Sequence, residues 1–138
     1  RDLSEIATYA TVDNVQFKQL KAHTPAPITF ILNATKDVPK KLAHAKKKTI
    51  GIRVPSNPIA QALLEAMDEP ILTSSLILPD RDDILDDPFD IEELLDNQVD
   101  GLINAGIKTT KLTTIVDMTN SQPEVIRQGA ADVSDLLL

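Results

Sequence analysis

The sequence predicts a single mixed α/β domain. Two observations carry that expectation. Runs rich in β-branched residues, bounded by proline or glycine, alternate with stretches whose apolar residues recur at helical spacing. The 138 residues, 42% of them hydrophobic, suffice to bury roughly two-thirds of the unfolded surface around one core. Because only 3% are aromatic, that core is expected to consist of Ile, Leu, Val and Ala.

The elements follow in order. Asp2 with Glu5 three residues later has the form of a capping box opening a short helix through Ile6 and Ala7. A second helix is predicted from about Asp13, with Val12, Val15, Phe17 and Leu20 as its apolar positions. It ends at Thr24-Pro25, since a residue before proline avoids helical angles. Strands are expected at Ile28–Leu32 and at Thr49–Val54, with a short basic helix between them. Ser56 or Asn57 caps the next helix, which has Pro58 in its first turn and Ile59, Ala62, Leu63, Ala66 and Met67 at helical spacing. Pro70 closes it, and Ile71–Leu78 reads as a buried strand. An acidic loop over Asp80–Asp87 precedes a helix starting at Asp87-Pro88, with Ile91, Leu94 and Leu95 as its stripe. Three short strands complete the expectation, at Gly101–Ile103, Thr113–Val116 and Val125–Arg127.

Composition narrows the function classes. Without cysteine there is no disulfide, thiolate metal site or cysteine nucleophile, which fits a reducing compartment, with cytoplasm as the default. The residues show neither a charged-then-apolar leader nor an apolar run of about 18 residues, so a soluble protein with no membrane partner is expected. Scarce aromatics disfavour base-stacking RNA modules. A net charge of −7 means that attraction to nucleic-acid phosphates would need a local basic patch. One stands at residues 36–48, where Lys46, Lys47 and Lys48 are candidate RNA contacts and a solvated face is the plainer alternative. His23 and His44 lack metal-ligand spacing, and the acidic residues between 80 and 96 lack an EF-hand pattern, so no metal site is expected.

Four segments carry the chemistry. Thr24-Pro25-Ala26-Pro27-Ile28-Thr29 is a proline-rich turn entering a strand. Ile52-Arg53-Val54-Pro55, followed by Ser56-Asn57-Pro58, ends a strand on an arginine. Thr73-Ser74-Ser75-Leu76 groups hydroxyls, and Thr113-Thr114-Ile115-Val116-Asp117 leads on to Arg127-Gln128-Gly129-Ala130. Arg53 stands at the carboxyl end of its strand, where α/β sheets present ligand-binding groups, and a guanidinium there pairs bidentately with carboxylate or phosphate. Each segment also has a purely structural reading. Thr29 fits a strand after a turn, Arg53 a surface arginine, and Thr113 with Arg127 a hairpin bearing an exposed arginine. Asp117 is read as organising a turn rather than acting as a base.

In order and spacing these segments resemble the YrdC-like family of threonylcarbamoyl-adenylate synthases, and most of all its YciO branch. The resemblance implies a twisted mixed or antiparallel sheet with flanking helices. It further implies that Thr29 lines the substrate cavity, that Arg53 holds the threonine carboxylate, that Ser75 meets the adenylate, and that Thr113 and Arg127 lie near the nucleotide. Ala26 stands where the family has glycine. Ile77 replaces the asparagine of the serine-x-asparagine nucleotide motif and Asp80 the glycine after it, which removes a polar partner from the adenylate pocket.

The family's N-terminal portion, with its threonine-rich strand and ATP-binding lysine-x-arginine pair, is not among these residues, and the chain starts at Arg1. Residues 1–138 are therefore expected to be the C-terminal two-thirds of a longer, N-terminally truncated domain, catalytically crippled alone. The implied chemistry of the intact protein is condensation of L-threonine, bicarbonate and ATP, with Mg2+ on the triphosphate, to threonylcarbamoyl-AMP for tRNA modification. Positioned cations matter there more than a nucleophile. Two alternatives stand beside it: a module binding double-stranded RNA or tRNA, and a diverged paralogue that binds or hydrolyses an adenylate without making one.

Overall fold

The structure, a computed structural model, describes residues 1–137. They form two compact units, one comprising Arg1–Ile71 and the chain from Leu112, the other Leu72–Lys111.

The first unit is built on a mixed, open sheet of β1 (Ala10–Thr11), β2 (Ile28–Ala34), β3 (Thr49–Ile52), β4 (Thr114–Asp117) and β5 (Glu124–Arg127). β2 is central. It pairs antiparallel with β3 (Phe30 opposite Ile52) and parallel with β4 (Thr29 opposite Ile115), and its last residues pair with β1. β4 pairs antiparallel with β5, with a register shift between Ile115 and Val116.

Strand alternation sends every second residue to the core. From β2 these are Ile28, Phe30 and Leu32, and from β4 Thr114 and Val116, all buried. They pack with Ile6, Ala10, Leu20, Met118, Val133 and Leu136. Thr29, Ile31, Ile115 and Asp117 take the opposite face.

Helix α1 (Ile6–Tyr9) is a single turn with no side-chain cap. The capping box expected at Asp2–Glu5 does not form, because the Asp2 carboxylate accepts from the Ser4 amide at 2.8 Å. A box forms instead on α2 (Asn14–Ala22): Asp13 Oδ1 accepts from the Gln16 amide at 2.7 Å, and Gln16 Oε1 accepts from the Asp13 amide at 2.9 Å. The Gln16 Nε2 also donates to the Met118 carbonyl at 2.7 Å, joining the start of α2 to the end of β4. Asp13→Ala is expected to lower stability by about 1 kcal/mol, read as a lower urea midpoint at unchanged slope; an unchanged midpoint would show that the box contributes nothing.

Helix α3 (Pro58–Met67) starts on Asn57, whose side chain accepts from the Ile59 and Ala60 amides. Its expected stripe is not its buried side: Leu64 is buried, while Ile59, Leu63 and Met67 are exposed. The basic helix expected between β2 and β3 is a series of turns, with Val38 the buried residue among lysines that have no apolar face to offer a helix.

The second unit holds α4 (Pro88–Leu95), capped by Asp87. The strands expected at Ile71–Leu78 and Gly101–Ile103 are irregular and largely exposed, with Leu72 at 81%. An apolar run cannot form a strand without a ladder partner, and among the described residues the first run is cross-linked by a single backbone bond, from the Leu85 amide to the Leu76 carbonyl. Arg81 lies 3.0 Å from Asp83 and holds that carboxyl below the usual carboxylate range.

Candidate functional site

The non-core face of the sheet gathers hydroxyls and guanidinium groups. β3 and β5 run antiparallel to β2 and β4, so their carboxyl ends meet the amino ends of the two central strands. Across that end, in strand order β3, β2, β4, β5, stand Arg53, Thr29, Thr113 and Arg127. Their common face follows from register. Ile115 pairs with both Thr29 and Arg127, and Thr113 lies two residues before it. A Cβ on Gly51 would lie 3.2 Å from Thr29 Cγ2, which puts Gly51, and Arg53 two residues on, on the same side.

Three of the four are bonded together. Thr29 Oγ1 lies 3.0 Å from Thr113 Oγ1. Arg127 donates from Nε and Nη2 to the Thr113 carbonyl, at 3.1 and 2.8 Å, and from Nη2 to Thr113 Oγ1 at 3.2 Å. A guanidinium only donates, so Thr113 Oγ1 accepts from it. The two threonine hydroxyls carry two hydrogens; one closes the Thr29–Thr113 bond and the other is left for an acceptor. The Arg127 Nη1 hydrogens also have no partner among the described residues. The cluster therefore presents donors outward, which suits a carboxylate or phosphate. Arg53 adds an exposed guanidinium with no carboxylate within salt-bridge distance among the described residues.

The proline turn holds this end of the sheet together. The Ala26 amide donates to the Val54 carbonyl at 3.1 Å and the Thr114 amide to the Pro27 carbonyl at 3.0 Å, so one turn ties the exit of β3 to the entry of β4. Thr114, adjacent to Thr113 in sequence, has a different part. It is wholly buried, and its hydroxyl is spent on the Gly129 and Ala131 backbone. Strand alternation points Thr114 into the core, away from the row that its neighbour Thr113 joins. Asp117 accepts from the Thr119 amide and hydroxyl at 2.8 and 2.6 Å, organising the turn after β4.

Ser75 belongs to the second unit, where it is exposed and its carbonyl accepts from the Ile77 amide at 3.1 Å. Lys46, Lys47 and Lys48 are exposed on a tight turn ordered by His44, whose Nδ1 accepts from the Lys46 and Lys47 amides. Lys48 is left-handed there, at φ 52°. A cavity of about 490 Å³ opens among Leu3, Phe17, Lys21, Pro25, Val54 and Gln61, and none of the four residues of the row lines it. Among the described residues, no three His, Asp or Glu side chains gather as a metal site, and no helix is long and apolar enough to cross a membrane. Sequence reasoning missed Gly51 and Gly129 as site residues; the Arg-Gln-Gly-Ala segment was the available signal for the second.

An open mixed sheet with hydroxyls and guanidinium groups aligned across one end defines an α/β protein equipped to hold an acceptor-rich ligand. The chain belongs to the Sua5–YciO–YrdC family, whose model, described by the words "telomere recombination", matches residues 1–129. It is 52% identical over 137 residues to the uncharacterized protein YciO of Escherichia coli K12, covering 99% of this chain and 66% of that one. It is 31% identical over 138 residues to a putative threonylcarbamoyl-AMP synthase of Methanocaldococcus jannaschii, covering 99% of this chain and 63% of the relative. The crystal structure of E. coli YciO superposes with a TM-score of 0.92 at 51% identity, over 100% of this chain and 66% of that one. P. abyssi Sua5 complexed with L-threonine does so with a TM-score of 0.85 at 20% identity, over 98% and 40%, a likeness of fold. The chain thus spans about two-thirds of the length of the curated relatives it matches.

Proposed function

We propose that the protein binds L-threonine on the row Arg53, Thr29, Thr113, Arg127, as part of a domain that condenses threonine, bicarbonate and ATP to threonylcarbamoyl-AMP for tRNA modification. The observation that carries this reading is the row itself: two cations flanking two hydroxyls, with one hydroxyl hydrogen and the Arg127 Nη1 hydrogens left without a partner among the described residues. The L-threonine complex of the Sua5 structure and the name of the M. jannaschii relative support the choice of ligand and reaction. In that reaction the threonine amine forms an N–C bond with the bicarbonate carbon and water is lost, while a carbamate oxygen displaces pyrophosphate from the α-phosphorus of ATP. No side-chain nucleophile is required. The donors assigned here hold the carboxylate and orient the amine, a matter of positioning rather than bond-making. Magnesium would enter on the triphosphate; hydroxyls beside guanidinium groups have the wrong charge to hold a divalent cation on their own.

The test is calorimetric titration of L-threonine, then ATP with Mg2+, into the full-length protein. Arg53→Ala and Thr29→Val are each expected to weaken threonine binding at least tenfold, about 1.4 kcal/mol. Unchanged affinity in both variants would overturn the site. Threonine binding without pyrophosphate release would favour the non-synthesising paralogue that Ile77 and Asp80 point to. The exposed lysine turn at residues 46–48 favours a second reading, RNA contact, for which tRNA affinity must fall steeply with salt.

A further inference from the structure

We infer that Thr114 and the backbone at Gly129 are a positioning device that fixes Arg127 on Thr113; the ligand-binding part of this inference rests on the anion-row reading above. Thr114 is 0% exposed, yet its hydroxyl makes three bonds. It donates to the Ala131 carbonyl at 2.7 Å and accepts from the Gly129 and Ala131 amides at 3.0 and 3.2 Å. One hydroxyl thereby uses its single hydrogen and both lone pairs. All three partners lie in the segment that follows β5, so this side chain on β4 clamps the chain just beyond Arg127.

The clamp is close-fitting. The Ala130 amide donates to the Leu112 carbonyl at 2.9 Å. A Cβ on Gly129 would stand 2.3 Å from Leu112 O and 2.4 Å from Thr113 C. Glycine is thus required by backbone approach. The β4–β5 ladder is irregular between Ile115 and Val116, and beyond that irregularity the Thr113 carbonyl is taken by the Arg127 guanidinium. What keeps Arg127 over Thr113 is the segment pinned by Thr114, two residues past the arginine. Thr114 reaches the ligand only through Arg127 and Thr113.

Two variants separate this from ordinary packing. Thr114→Val keeps the shape and removes the hydroxyl; Thr114→Ser keeps the hydroxyl. In 15N-labelled full-length protein, exchange of the Arg127 Nε hydrogen is expected to accelerate at least tenfold in T114V and to stay within twofold in T114S. Threonine affinity is expected to follow the same order, falling at least tenfold only in T114V. Unchanged Arg127 Nε exchange in a folded T114V would overturn the inference. Should T114V fail to fold, the unmodified protein decides: the Gly129 and Ala131 amides and the Arg127 Nε hydrogen must exchange with a common protection, and independent rates would overturn it. If Arg127 loses protection in T114V while even the unmodified protein binds no threonine, the positioning assignment stands and the threonine reading falls.

Discussion

Phe30→Ala is expected to cost about 4 kcal/mol of folding stability, the middle of the usual range for emptying a large aromatic site. Phe30 is 1% exposed at the middle of β2, opposite Ile52 of β3 on one side and Val116 of β4 on the other. Its ring belongs to the cluster that also holds Leu20, Leu32, Met118 and Val133. With aromatics at 3% of the chain, no second large ring stands among the buried residues of that cluster to fall into the space. A loss of this size is a large share of the total of about 5–15 kcal/mol that a typical domain has. Urea unfolding reads it directly. A loss under about 1 kcal/mol would mean the cavity collapses freely and that the inner face of β2 is not the organising core.

Gly129→Ala comes next, at about 3 kcal/mol, combining overpacking with the bonds that separation would break. The three atoms nearest the added carbon are all backbone, Leu112 O at 2.3 Å, Thr113 C at 2.4 Å and Thr113 O at 2.5 Å, and backbone cannot swing aside as a rotamer can. The segments must part, taking with them the 2.9 Å bond from the Ala130 amide to Leu112. Gly51→Ala is the internal control. Its only close contact is the Thr29 methyl at 3.2 Å, a side-chain end that can yield, so less than about 1 kcal/mol is expected. Equal melting temperatures for the two variants would refute the distinction.

Elements dictated by near neighbours were legible in the residues; those that depend on distant partners were not. The alternation of Ile28, Phe30 and Leu32 sets both the strand and its buried face. Pro58 behind Asn57 marks the start of α3. By contrast, Ile71–Leu78 has the composition of a strand, yet among the described residues no neighbour pairs with it in a ladder. The capping pattern occurs at both Asp2–Glu5 and Asp13–Gln16, and only at the second does the glutamine also reach across to Met118. Spacing could not tell those apart.

The same divide runs through the site. Thr29, Thr113, Arg53 and Arg127 emerged from motif resemblance. That the four form one row depends on the antiparallel course of β3 and β5, which no local pattern encodes. Thr113 and Thr114 are chemically identical neighbours. Which of them joins the exposed row and which is buried is settled by strand parity relative to a core built from residues far away.

The pairing of β2 with β4 also has a consequence for how the protein is made. Ile31 faces Asp117 across the sheet, and all of Leu72–Lys111 lies between them in sequence. At translation speeds of roughly 5–20 residues per second, β2 waits about 4–17 s after synthesis for its parallel partner to leave the ribosome. Throughout that interval the edge that β4 will cover is open to other chains. Slower decoding between residues 72 and 111 would therefore lengthen the period in which that edge is open to mispairing.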